Sequence, residues 1–309
     1  MALLCGIDIG GTKIALGLGD REGHILAQDR IAVDPSIPAR ELLQQIAERL
    51  KALAAGRPIE AAGVGVPSPM DPETGVLIKA PNLPGWDNLP IKAIFEEALQ
   101  VPVLVENDAN AAAYGEYRFG AGRGCKNMVY VTVSTGVGGG VVVDGKLVRG
   151  VRGAAGEIGH QTIDPNGPLC GCGNHGCLEA FASGTAIARR AQEGVDRGEE
   201  TVLKHEKVTT FAISKAVREG DAFAKKVWEE SIEYLAIGIG NVIVMLAPER
   251  IVIGGGVANV GDLLFHPLRE AIKRRVCVSP VERIEIIPAG NVNDAGLLGA
   301  LAVASEIAP

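Results

Sequence analysis

Aromatic residues are scarce: six Phe, four Tyr and two Trp make up 4% of the 309 residues. There is no basic run and no stripe of interleaved basic and aromatic side chains, and the formal net charge is −7. No nucleic-acid partner is expected, because phosphates are gripped by clustered Lys and Arg and single-stranded bases by aromatic faces. Long apolar runs are missing too. The longest, Ile237 to Ala247, contains Gly238, Gly240 and Asn241 and is shorter than the about 20 residues that cross a bilayer, so no membrane segment is expected. Only four residues precede Cys5, too few for the charged and apolar regions of a secretory signal. No G-x-x-x-x-G-K-[ST] occurs, so a Walker loop is excluded.

What remains is a globular composition: 47% hydrophobic and 22% charged residues, enough apolar material for one large domain or two ordinary ones. Strands alternate with helices along the chain, which gives the α/β class. Half of the six cysteines lie in one stretch, Glu157-Ile-Gly-His160 through Cys170-Gly-Cys172-Gly-Asn-His-Gly-Cys177-Leu-Glu179. Zinc takes four tetrahedral ligands, commonly thiolate and imidazole, so His160, Cys170, Cys172 and Cys177 form a candidate structural site. Gly171, Gly173 and Gly176 give the loop the freedom to turn three side chains onto one ion. A disulfide or unpaired thiols remain the alternative. Glu157 and Glu179 frame the cluster and are free for a polyhydroxylated ligand, since each carboxylate accepts hydrogen bonds at two oxygens. Clustered cysteines without a signal peptide point to a reducing cytoplasm. Cys5, Cys125 and Cys277 are expected to be single buried thiols.

Two stretches share one pattern. Leu3 to Ile9 reads as a buried strand, Gly10-Gly11-Thr12-Lys13 as a turn, and Ile14 to Leu18 and His24 to Ala32 as returning strands. About 125 residues later the pattern repeats: Asn127 to Val133, the glycine turn Ser134 to Gly140, Val141 to Val143, the turn Asp144-Gly145, and Lys146 to Arg149. Such turns aim backbone N–H groups at phosphate oxygens; an ordinary hairpin is the competing reading of Gly10-Gly11. Gly136-x-Gly138 is no dinucleotide fingerprint, because a strand rather than a helix follows. Between the two copies, the strand Val101 to Val105 runs into Glu106-Asn107-Asp108-Ala-Asn110 and then helix formers. Polar residues at a strand-to-helix junction suit a ligand site, or a helix cap. Arg250 to Ile253 is a strand followed by Gly254-Gly255-Gly256, where backbone approaches a ligand closely or simply turns. Helices are expected over Leu42 to Leu53, Ile91 to Leu99, Thr185 to Gly198, Thr209 to Glu219, Ala222 to Met245, Leu263 to Val276 and Ala295 to Ile307, with a strand over Ile284 to Ile287.

Taken together, these motifs resemble the ROK family of sugar kinases, most closely its bacterial glucokinases. The most specific are Glu157-Ile-Gly-His160 with Cys170-x-Cys172-Gly-x-x-Gly-Cys177-x-Glu179; Asp8-Ile-Gly-Gly-Thr-Lys13, Glu106-Asn-Asp-Ala-Asn110 and Ala80-Pro-Asn-Leu-Pro-Gly-Trp86 fit in the same order. The resemblance covers essentially the whole chain. It implies a duplicated actin-like (ribonuclease H-like) fold of two lobes with an interdomain cleft: residues 1–117 as the smaller lobe, 118–294 as the larger, and a final helix within 295–309 packing back on the first. It implies Asp108 as catalytic base and sugar contacts from Asn107, Asp108, Glu157, His160 and Glu179, with Gly65 on the sugar side. His160 would bind both zinc and sugar. Ser68 stands where these enzymes usually carry glycine.

On the nucleotide side, Gly10, Gly11, Thr12 and Lys13 are expected beside the phosphates, with Thr135, Gly136 and Gly138 opposite and Gly255 and Gly256 near the adenosine. Asp8 is placed to hold Mg²⁺, which keeps several waters and few protein ligands. The expected partners are ATP and a hexose, glucose first, with fructose, mannose and N-acetylmannosamine as alternatives, and a second copy of the chain in a dimer or tetramer. Two other classes were weighed. A sugar-sensing repressor of the same family would add an N-terminal helix-turn-helix, for which no room is expected before Leu3. A non-catalytic zinc module would leave Asp108 and both glycine turns unexplained.

Overall fold

A computed structural model describes residues 2–67, 69–80, 83–290 and 294–309. Ser68, in the loop after Val66, and Pro81 and Asn82, in the motif Ala80 to Trp86, lie outside the described residues. The elements run β1 (Leu3–Ile9), β2 (Lys13–Gly19), β3 (Ile25–Ala32), α1 (Ala39–Ala54), β4 (Ile59–Val66), β5 (Met70–Asp71), β6 (Val76–Leu77), β7 (Leu89–Pro90), α2 (Ile91–Leu99), β8 (Val103–Asn107) and α3 (Asp108–Phe119). Then follow β9 (Met128–Val133), β10 (Val137–Val143), β11 (Lys146–Leu147), α4 (Leu178–Ala182), α5 (Gly184–Asp196), α6 (Thr210–Arg218), α7 (Ala222–Leu246), β12 (Arg250–Gly254), α8 (Asp262–Arg275), β13 (Glu285–Pro288) and α9 (Ala295–Ile307).

Two five-stranded sheets carry the fold, ordered β3-β2-β1-β4-β8 and β11-β10-β9-β12-β13. Three consecutive strands and then two later ones occupy equivalent places in both. In the first, β1 pairs antiparallel with β2 and parallel with β4; in the second, β12 pairs parallel with β9 and β13. The repeat read from the two glycine turns is thus a repeat of whole sheets, a duplicated α/β architecture of the kind the family resemblance implies. A third, three-stranded sheet of two-residue strands, β5-β6-β7, carries no periodic signal in the sequence.

The chain divides into two compact units. The first comprises Met1–Lys126, Gly140–Gly156 and Gly290–Pro309; the second comprises Asn127–Gly139 and Glu157–Ala289. The first unit therefore reaches beyond residue 117, which lies inside α3, and takes back a segment from the middle of the chain.

In the first unit the strand period of two sorts β1 into two faces. Leu3, Cys5, Ile7 and Ile9 enter a core with Leu42, Ile46 and Phe95 of α1 and α2. Leu4 packs with Leu298, Leu301 and Ala304 of α9. The α9 face is built from small residues because the helix lies close. A Cβ on Gly6 would stand 2.9 Å from the Leu297 carbonyl oxygen, and one on Gly63 of β4 only 2.0 Å from that of Ala300. Both faces of β1 are covered, so it reads as a continuous apolar run, whereas β3 alternates between half-buried and exposed positions.

In the second unit α7 is the central helix. It buries Phe223, Val227, Trp228, Leu235 and Ile239, and the Trp228 indole N–H donates to the Leu263 carbonyl at the start of α8, 3.0 Å away. Tyr234 stacks on Phe181 of α4, with ring centroids 4.3 Å apart. Two sequence expectations are corrected here. Gly138 and Gly140 belong to strand β10, so the second turn is only Ser134–Gly136; Gly140 has no room for more, since a Cβ there would meet that of Ala113 at 2.5 Å. Cys277 is exposed, unlike the buried Cys5 and Cys125, because it follows the end of α8. No helix among the described residues is long and apolar enough to cross a membrane.

Candidate functional site

Within each unit several candidates stand at the C-terminal ends of parallel strands, where open α/β sheets bind ligands: Asp8, Asn107 and Asp108 in the first, Thr135 and Gly255 in the second. In the first unit, Asp8 is the penultimate residue of β1, and Gly10, Gly11 and Thr12 make the turn to β2, closed by the Gly10 N–H donating to the Lys13 carbonyl at 3.0 Å. The Asp8 carboxylate fills space left by glycine: a Cβ on Gly296 would lie 2.0 Å from Asp8 Oδ2, and one on Gly65 3.7 Å from Oδ1 and 3.8 Å from the Asp108 Cα. Burial pushes the Asp8 carboxyl up to about 6; repulsion from Asp108 adds to this and Lys13 opposes it. Asp8, Lys13 and Asp108 thus form one electrostatic group, with Gly65 packed beside the two carboxylate-bearing residues.

Asn107 ends β8 and caps α3. Its side-chain oxygen accepts from the N–H groups of Ala109 and Asn110, each at 3.0 Å. Its Nδ2 donates to Asp108 Oδ1 at 3.2 Å, and the Ala109 N–H donates to that same oxygen at 2.7 Å. The capping reading and the functional reading are therefore compatible: Asn107 caps while it orients Asp108, whose side chain is exposed.

Beneath this junction lies a pair of which the sequence marks only one member, Glu106. Glu106 is fully buried (0% exposed). Its Oε1 accepts from the Asn107 N–H at 3.0 Å and from Asn110 Nδ2 at 3.1 Å, and its Oε2 accepts from Arg149 Nε at 2.6 Å. Arg149 turns its other two nitrogens to Glu306 of α9, at 3.0 and 2.7 Å. The only sequence signal was the carboxylate directly before Asn107-Asp108; nothing marks Arg149, 43 residues away.

In the second unit the metal candidates meet. The ligand atoms of His160, Cys170, Cys172 and Cys177 all lie within 4.8 Å of one another. Cys172 and Cys177 sulfurs are 3.7 Å apart, and Cys170 Sγ is 3.8 Å from His160 Nδ1. A tetrahedral ion with Zn–S bonds of about 2.3 Å sets ligand edges of about 3.8 Å, whereas a disulfide would need about 2.05 Å. The donor set therefore fits a closed tetrahedral zinc site. Burial pushes the Cys170 thiol up to about 12, so a thiolate there requires a cation beside it. Gly176 permits the loop: its φ is +71°, and a Cβ would collide with the Asp164 carbonyl oxygen at 1.6 Å.

The two glutamates stand beside this cluster. His160 Nδ1 faces it, 3.8 Å from Cys170 Sγ, and Nε2 is 3.9 Å from Glu157 Oε2, a charge contact longer than a hydrogen bond. Glu179 lies in the first turn of α4, two residues after Cys177. Its Oε2 accepts from the Val137 N–H at 2.9 Å, and a Cβ on Gly136 would stand 2.5 Å from that oxygen. The second glycine turn and Glu179 are thus in contact. A cavity of about 300 Å³ opens here, lined by Thr135, Gly136, Cys170, Glu179 and Arg189. A second, of about 590 Å³, is lined by Thr135, Thr185, Thr209, Phe211, Gly256 and Val257. Gly255, with φ +85°, closes against β9; its Cβ would meet the Val133 carbonyl oxygen at 2.3 Å. Gly138 lies further along β10 and lines neither cavity.

Comparison with known proteins follows the same outline. The ROK family profile matches residues 4–307. The chain belongs to the ROK family. Among its relatives in that family, the glucokinase of Thermotoga maritima is 37% identical over 310 residues, covering 98% of this chain and 97% of its own. A ROK hexokinase structure from Thermus thermophilus superposes with TM-score 0.88 at 38% identity, covering 98% of this chain and 97% of the other. A ROK glucokinase from Streptomyces griseus, in complex with glucose and AMPPNP, gives TM-score 0.81 at 36% identity, with 99% and 100% covered.

Proposed function

We propose that this chain is an ATP-dependent hexose kinase that converts glucose to glucose 6-phosphate. The observation that carries the proposal is the Asn107–Asp108 junction: an exposed carboxylate held from behind by a cap and grouped with Asp8 and Lys13. Phosphoryl transfer asks for positioning, charge neutralisation and a base at the attacking hydroxyl rather than covalent chemistry. Asp108 is the base. Asn107, Glu157, His160 and Glu179 grip the sugar hydroxyls, and Gly65 leaves space beside Asp108. The N–H groups of Gly10, Gly11 and Thr12 and the Lys13 ammonium bind phosphate oxygens; Thr135 and Gly136 do so from the second turn, with Gly138 behind them. Gly255 and Gly256 leave room for the nucleoside.

Asp8 would hold Mg²⁺, which neutralises charge on the transferring phosphates. His160, Cys170, Cys172 and Cys177 would hold zinc as a structural ion, with no ligand position left for activated water. Anchoring His160 and Cys177 fixes Glu157 and Glu179, three residues before and two after. The proposal extends to a homo-oligomer, dimer or tetramer, in the cytoplasm. The glucokinase name of the Thermotoga relative and the glucose and AMPPNP in the Streptomyces structure support the reading.

A coupled assay for ADP release, over glucose, mannose, fructose and N-acetylmannosamine, tests it. Highest kcat/KM on glucose supports the proposal. Preference for another hexose moves the substrate, and no ADP release with any of them would reject the kinase in favour of a sugar-sensing protein.

A further inference from the structure

We infer that Arg149 is a positioning residue for phosphoryl transfer, acting on Asp108 through the buried carboxylate of Glu106; this rests on the kinase reading above. Arg149 Nε donates to Glu106 Oε2 at 2.6 Å; Glu106 Oε1 receives the Asn107 N–H at 3.0 Å and Asn110 Nδ2 at 3.1 Å; Asn107 Nδ2 donates to Asp108 Oδ1 at 3.2 Å. The path from guanidinium to base carboxylate is thus unbroken and lies within one compact unit.

Three features separate this path from ordinary packing. Glu106 has no solvent contact, and a buried carboxylate that loses its cation must find another partner, take up a proton or move. Each of these changes the side of Glu106 that holds Asn107. Next, Glu106 does not bond to the body of a helix. It bonds to the last strand peptide and to the first turn of α3, the two places that decide where Asp108 points. Finally, the guanidinium is held on both sides. Two parallel bonds to Glu306 fix its plane, so Nε meets Glu106 in one orientation. Lysine, a single point charge, can supply the charge but not the fork.

The test uses the full chain with hexose and MgATP. First, the unmodified chain must release ADP, and failure here rejects the kinase reading itself; Asp108→Asn must then lose that activity, and comparable turnover would remove Asp108 as the base and overturn this inference with it. With those in hand, Arg149→Gln is expected to lower kcat about 100-fold, the scale of a 1 Å misplacement of a reacting group, while the nucleotide KM stays within about threefold. Arg149→Lys should recover part of the loss. Arg149→Gln combined with Glu106→Gln should be no worse than the worse single variant, because both break the same path. Full kcat in folded Arg149→Gln, or losses that multiply in the double variant, would overturn the inference. If Arg149→Gln does not fold, Arg149→Lys decides: wild-type kcat overturns it, and a lowered kcat with an intact nucleotide KM supports it.

Discussion

Asp8 and Asp108 are two carboxylates in one field with separate tasks. Asp108 accepts from a backbone N–H and from Asn107. Replacing it with asparagine keeps shape and removes proton acceptance. We expect kcat to fall about 10²–10⁴-fold, the usual worth of a general base, with hexose KM nearly unchanged; a coupled assay reads both. Asp8 is buried beside that charge, and its carboxyl is raised from 3.8 to about 6. A raised folded value means that the folded state holds the proton more tightly than the unfolded one. The stability contribution is therefore complete below about 3.8 and is lost as pH rises through about 6. Asp8→Asn removes this dependence. Without nucleotide or magnesium, the variant should melt higher than wild type above that window, and the two should converge at its acid end. Melting curves offset equally at every pH would refute this account. Legibility at this scale follows distance along the chain. Asn107 and Asp108 show themselves as adjacent polar residues at a strand end, whereas Arg149 reaches Glu106 from 43 residues away and looks like any surface arginine.

At the scale of elements, the cysteine loop and the last helix behave differently. The loop's four ligands lie within eighteen residues, so their spacing alone announced them, and the structure brings their ligand atoms within 4.8 Å. Cys172→Ala, or a strong chelator, should remove zinc measured by atomic emission and raise hexose KM before it affects nucleotide KM, since Glu157 and Glu179 hang on that loop. Unchanged hexose KM in zinc-free protein would detach the loop from sugar binding. Helix α9 was legible to the residue, Ala295–Ile307, yet its glycines were not. Gly299 lies against the backbone of Ala111 in α3, Gly115 against that of Gly299, and Gly63 against that of Ala300. These contacts are backbone to backbone, so no side chain can swing away. Gly63→Ala should destabilise by about 1–3 kcal/mol or more; denaturant unfolding measures it, and a loss below about 0.5 kcal/mol would mean that the helix shifts freely. The short strands β5, β6 and β7 escaped notice because two residues show no alternation.

For the molecule as a whole, the repeat of sheet order was visible in the sequence only through its turns, which recur about 125 residues apart. The return of the final helix to the first unit was expected from the family resemblance, whereas the mid-chain return of Gly140–Gly156 was not visible, because contacts of that kind leave no local pattern. A chain ending at residue 294 should fail to give a cooperative unfolding transition for the first unit and should bind no nucleotide. A truncated protein with a native transition would show α9 to be dispensable. The placement of α9 also has a consequence for synthesis. On the ribosome, β1 and β4 emerge early, but the side of them lined by Leu4, Gly6, Ala61 and Gly63 waits for Leu298, Leu301 and Ala304, nearly three hundred residues after Leu4. Until α9 emerges that surface lacks the helix that packs on it, so the half made first is completed only after the second unit has been made, and emergence of α9 sets the earliest moment at which Asp8 acquires its glycine-lined niche against Gly296.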